Sequence, residues 1–223
     1  MRAPSWGDWT AYARWRGLLE AAEVAQSFPW TPFLIDATAA YRHFLEGHGR
    51  TRRIDYERFI TGDPNGRRVL AVLKWDLRSE IEYWVDSGLE DFAFRSREVI
   101  SVRDGGRYPY PATENWQKTL GGHFIWVDGR AHREGMGGYA CDVRVHVEDR
   151  YDFNPGDEDI ATGISDAENG RLSLSGLGNP YLTRGLIHRH LRWKKGDLPL
   201  IMSGAPTRRA REPRGNRLPW NSL

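Results

Sequence analysis

The 223-residue sequence predicts an α+β fold: a helical N-terminal half, then an antiparallel β-sheet or partly open β-barrel. Two observations carry that expectation. Apolar residues recur at three- and four-residue spacing up to about residue 98 and at every second residue thereafter. Helices also precede strands, without the regular alternation that parallel βαβ units impose. The hydrophobic fraction is 39%, and 10 Trp, 9 Tyr and 8 Phe supply bulky side chains for a core. Each buried aromatic removes on the order of 150–250 Å² from water, so the chain is long enough and aromatic enough to fold.

The elements follow in order. WTAYARWRGLLEAAEVAQ, from Trp9 to Gln26, is rich in strong helix formers and ends before the breaker SFPWTPF. A second helix is expected from about Asp36 to Glu46, closed by Gly47, and a short helical turn at DYERFI. Asp63-Pro64 then places an aspartate cap before a proline at the first helical position, opening a helix that runs to about Val85. Its stripe, Val69, Leu70, Leu73, Leu77, Ile81 and Trp84, reads as core. RDGGRYPYPATENWQ reads as a connector. Strands are expected at HFIWV (123–127), YACDVRVHV (139–147), RLSLSGL (171–177) and LIHRHLRW (186–193). In the longest, Cys141, Val143, Val145 and Val147 alternate with polar residues, so one face is buried and one wet. Three regions result: helical over 1–100, antiparallel β over 101–197, and a basic tail over 198–223, disordered or draped over the surface.

Charge is balanced overall, 32 basic against 30 acidic residues, which gives no global pull toward nucleic acid. It is segregated locally. Asp149, Asp152, Asp157, Glu158, Asp159, Asp166 and Glu168 crowd the stretch before Gly170, while RGLIHRHLRWKKGD and the tail are basic. A phosphate-bearing partner suits the basic segments, and so does the chain's own acidic loop. The lone cysteine, Cys141, excludes an intrachain disulfide and a thiolate metal cage and reads as a small buried residue. The N-terminal residues lack the apolar run of a secretory signal, and no stretch approaches a membrane span. The protein is therefore expected to be soluble and made in the cytoplasm, with export, where it occurs, independent of a cleavable signal peptide.

Three constellations offer chemistry. Asp152, Asn154, Asp157 and Asp159 set oxygen-bearing side chains along a loop, as sites for calcium or magnesium do, although Gly163 stands where a calcium loop of the EF-hand type ends in glutamate. Asp149, Tyr151 and Asp152 lie where an alternating strand breaks at Asn154-Pro155-Gly156, so carboxyls emerge together and can divide acid and base roles. Histidines 123, 146, 188 and 190 fall on expected strands, with His188 and His190 on one face. Gly121-Gly122 and the glycines around Met136 read as turns, since neither has a phosphate-loop context.

ENWQKTLGGHFIW, then VRVHVEDRYDFNPGDEDIATGISDAENGRL and a closing R-x-L-R-W, over roughly residues 108–196, resemble a domain near the C-termini of large secreted bacterial proteins of the polymorphic-toxin kind. Asp149, Tyr151 and Asp152 also resemble part of the D-x-Y-D motif of the colicin M family, whose members cleave a lipid-linked peptidoglycan precursor with a divalent metal. That motif continues to a His-Arg pair, where this chain has Glu158 and Asp159; His188 followed by Arg189 would have to replace it. The resemblance implies a secreted effector that hydrolyses a phosphoester or lipid-linked pyrophosphate. Asp149 and Asp152 would be ligands or acid and base, Arg189 would steady a phosphate, and His188 would be the mobile base. A cognate immunity or carrier protein would be its partner. The competing expectations are a binding module that recognises a protein or glycan through Trp116, Trp126 and Trp193, and a structural component of a secretion particle.

Overall fold

The computed structural model describes residues 2–29, 31, 33–103, 106–153 and 167–201. In chain order the elements are α1 (Trp6–Ala25), α2 (Ile35–Glu46), β1 (Arg52–Ile54), α3 (Tyr56–Gly62), α4 (Pro64–Asp86), β2 (Asp91–Arg95), β3 (Val99–Val102), β4 (Tyr108–Pro109), α5 (Glu114–Gln117), β5 (His123–Glu134), β6 (Gly138–Tyr151), α6 (Ala167–Ser175), β7 (Tyr181–Lys194) and β8 (Leu200–Ile201). The fold is α+β with one open, mixed sheet in the order β1-β7-β6-β5-β3-β4, β2 pairing with β5 and β8 with β7. β2 and β8 pair antiparallel, whereas the β3–β4 pair is parallel.

Local chemistry explains the helix starts. Ser5 and Asp8 form a reciprocal capping box at α1, in which each side chain accepts from the other residue's backbone N–H. Asp63 caps α4 by accepting from the amides of Asn65 and Gly66, and Pro64 occupies the first turn, where its missing N–H costs nothing. Along α4 the buried residues are Val69, Leu73, Leu77, Ile81 and Val85, one face of a 3.6-residue period.

One expected strand is a helix. Arg171 to Ser175 of RLSLSGL belong to α6, where Asn169, Leu172 and Ser175 are buried at three-residue spacing while Leu174 is 61% exposed. The apolar alternation of Leu172 and Leu174 is too short to separate period two from period 3.6, and burial follows the latter. Five strands absent from the sequence reading, β1, β2, β3, β4 and β8, are five residues or shorter. Of the basic tail, residues 202–223 lie outside the described residues.

The chain divides into two compact units: Met1–Ile54, Tyr110–His123 and Glu148–Arg184 form the first, and Asp55–Pro109, Phe124–Val147 and Gly185–Leu223 the second. The first has an aromatic core, with Phe44, Leu45, Leu172 and Tyr181 buried among Tyr41, Tyr151 and Phe153. In the second, α4 is fastened to the end of β7: Trp193 Nε1 donates to Glu82 at 3.0 Å and Lys195 Nζ to Asp86 at 2.8 Å. Trp193 also stacks on Tyr139 at 5.5 Å. Cys141 is fully buried, and burial pushes its thiol pKa well up, as expected of an inert packing residue.

Candidate active site

The alternation that buries Val143, Val145 and Val147 continues to Asp149 and Tyr151, which therefore share the inward face of β6. In the first unit the end of β6 meets the start of β7. The Tyr151 ring stacks on Tyr181 at 4.9 Å and 13°, and Arg184 Nε donates to Glu148 Oε2 at 2.7 Å. Partner numbers rise on one strand as they fall on the other, so the pairing is antiparallel, in a register that sets Asp149 opposite Thr183. The inward face thus carries Asp149, Tyr151, Tyr181 and Thr183, and the outward face Glu148, Arg150 and Arg184. On the neighbouring β1, Arg52 and Ile54 are half-buried while Arg53 is exposed, which puts Arg52 on the inward side as well.

Burial dominates the electrostatics. Asp149, half-buried at a position where an aliphatic residue would continue the pattern, has its pKa pushed up to about 7, chiefly by desolvation. The backbone N–H of Arg150 opposes the shift and the neighbouring Asp152 charge adds to it. Tyr181 is almost fully buried, and burial raises its phenol pKa, with Arg52 and Thr183 acting in the opposite direction. Its hydroxyl donates to the Ala40 carbonyl at 2.8 Å. The His43 ring meets Tyr181 edge-on at 4.5 Å, and its Nε2 donates to the Arg50 carbonyl at 2.7 Å. Asp152 is half-buried and accepts from Arg150 Nε at 3.1 Å. A carboxyl half-ionised near neutral pH can both take and return a proton.

Asp149, Tyr151 and Asp152 are thus gathered in the first unit, while His188 and Arg189 belong to the second. Successive strand residues point to opposite faces: His188 is exposed, and Arg189 is half-buried with Nη2 on both oxygens of Glu57 at 2.6 and 2.5 Å. Asn154, Asp157 and Asp159 lie outside the described residues. Among the described residues no three His, Cys, Asp or Glu side chains gather as a metal site. The remaining strand histidines have local partners. His146 Nε2 bonds Asp128, His190 Nδ1 bonds Asp142 at 2.6 Å, and burial lowers the pKa of His123 to about 4.

Two of the three tryptophans expected at a binding surface are core residues instead: Trp116 is 4% and Trp193 5% exposed. Their flanking polar residues disguise this in the sequence. Trp126, half-buried, stacks on His146 at 5.2 Å. Conversely, Arg52, Tyr181, Thr183 and His43 join the site without having been expected there. Tyr181, Thr183, Gly185 and Ile187 are all buried with a period of two, so running the expected strand five residues further back would have found Tyr181 and Thr183.

An α+β fold with a carboxyl-bearing sheet face is what the structure defines. Three solved structures show a likeness to it. The colicin M-like bacteriocin PaeM of Pseudomonas aeruginosa is 17% identical over 73% of this chain and 52% of its own, with a TM-score of 0.45. For pectocin M2 the identity is 17% over 85% and 63%, at 0.40. For the bacteriocin syringacin M of Pseudomonas syringae it is 14% over 71% and 52%, at 0.40. The chain spans about half to two thirds of the length of these proteins. No family model matches the sequence, and no curated protein does.

Proposed function

We propose that the chain is a bacterial toxin-type hydrolase of a phosphoester or lipid-linked pyrophosphate, with Asp149, Tyr151 and Asp152 as its reactive group. One observation carries the reading: a half-buried carboxyl at Asp149, poised near pH 7 beside a second carboxyl, on the D-x-Y-D string that resembles the colicin M motif. The toxin context rests on that string.

In this reading Asp149, as carboxylate, removes a proton from a water whose oxygen attacks phosphorus. The bond from phosphorus to the leaving oxygen breaks, and the proton held by Asp149 passes to that oxygen, restoring the carboxylate. Asp152 keeps Asp149 basic through its charge, and the Tyr151–Tyr181 stack holds the strand ends in register. A divalent cation would be held by Asp152 with Asn154, Asp157 and Asp159, of which only Asp152 is described, and would neutralise phosphate charge when bound. His188 as mobile base and Arg189 as phosphate clamp are a separable arm of the proposal, since Glu57 already engages Arg189.

The test is expression in bacteria with and without an added export signal, comparing wild type with Asp149→Asn and Asp152→Asn. Growth inhibition confined to one compartment and reduced about 100-fold or more in each variant is expected. Undiminished toxicity of Asp149→Asn would sink the assignment.

A further inference from the structure

Two buried polar atoms beside this site lack a hydrogen-bond partner among the described residues. Thr183 is fully buried and its Oγ1 makes no hydrogen bond among the described residues; the same holds for the buried Nη1 of Arg52. Among the described residues Arg52 forms no ion pair, and its Nη2 donates to the Asp36 carbonyl at 3.4 Å. Most buried polar groups are satisfied, and buried charges are paired, because an unpartnered one carries its full desolvation penalty. Of the five such buried side-chain atoms among the described residues, these two fall on one stretch of sheet. β1 and β7 are adjacent, Arg52 and Thr183 both bear on the Tyr181 hydroxyl, and Thr183 stands opposite Asp149 in the β6–β7 register.

Their chemistry restricts what can complete them. A guanidinium donates only, whereas the Thr183 hydroxyl can donate or accept, so a group that completes both must be an acceptor for Arg52 and can be one for Thr183. An internal water would satisfy both hydrogen bonds while leaving the Arg52 charge without a counter-ion. An anionic oxygen answers hydrogen bonding and charge together.

We infer that Arg52 and Thr183 form the subsite that holds a phosphate oxygen of the substrate next to Asp149, as positioning residues rather than proton carriers. This rests on the hydrolase reading above, deepening it by naming the groups that select the phosphate.

Isothermal titration of the full chain with inorganic pyrophosphate, against sodium chloride at matched ionic strength, tests it. Saturable binding by wild type is expected, weakened about tenfold in the isosteric Thr183→Val and lost in Arg52→Gln. Thermal melts run alongside separate lost binding from lost folding, and Thr183→Val should melt no lower than wild type, since it removes an unsatisfied hydroxyl. Absence of saturable binding by wild type, or equal affinity in Thr183→Val, overturns the inference and leaves water as the partner of both donors. Pyrophosphate binding that persists in Asp149→Asn, in a protein that hydrolyses nothing, would sink the hydrolase reading and leave the subsite standing. Asp149-dependent hydrolysis insensitive to Thr183→Val would do the reverse.

Discussion

Desolvation drives Asp149 and His123 in opposite directions on the pH scale and to the same end, the uncharged form. For Asp149 the folded pKa of about 7 lies above its unfolded value of about 4, so its contribution to stability is full in acid and is lost as pH rises through 7. For His123 the folded value of about 4 lies below the unfolded value of about 6.5, so its contribution is present above 6.5 and is lost as pH falls through 4. The two slopes oppose each other between pH 4 and 7. Urea denaturation across that range should therefore show a shallow pH dependence in wild type. In Asp149→Asn the curve should rise with pH, and that variant should exceed wild type by roughly 1–3 kcal/mol at pH 8. A parallel curve for the variant would mean that Asp149 titrates as an ordinary solvated carboxylate.

At the scale of the element, α1 depends on its first turn. Asp8 is fully buried and bound by Ser5, Arg2 and Arg171, and these partners hold its carboxyl well below the usual range. Replacing Ser5 with Ala removes one of the box's two reciprocal bonds and should lower stability by about 1 kcal/mol, measured by chemical denaturation. The helices were the most legible part of the sequence because caps and 3.6-residue stripes are local: the Asp63-Pro64 start and the Val69-to-Ile81 stripe occur where they were expected. Short strands were not, since two to five residues carry too little period to stand out, and they gain their identity from partners distant in sequence. α6 was misread for the same reason. Within the site, Asp149 and Tyr151 could be read from the break in an alternating strand, and Thr183 from extending the β7 alternation, whereas Arg52 could not. Its place beside Thr183 comes from the adjacency of β1 and β7, which no spacing in the sequence records.

For the whole molecule, the change from helical to strand period gave the α+β class, but not how the chain divides. Each compact unit takes segments from both halves of the sequence, and β5, β6 and β7 each contribute residues to both. No helix among the described residues is long and apolar enough to cross a membrane. The central claim is that this fold brings a carboxyl with a raised pKa to a phosphate. The most direct measurement is the pH–rate profile for hydrolysis of a lipid-linked pyrophosphate by wild type and Asp149→Asn. The expected profile has a limb that bends near pH 7 in wild type and a rate about 100-fold lower in the variant at its plateau. An Asp149→Asn enzyme with the wild-type rate and the same bend would contradict it.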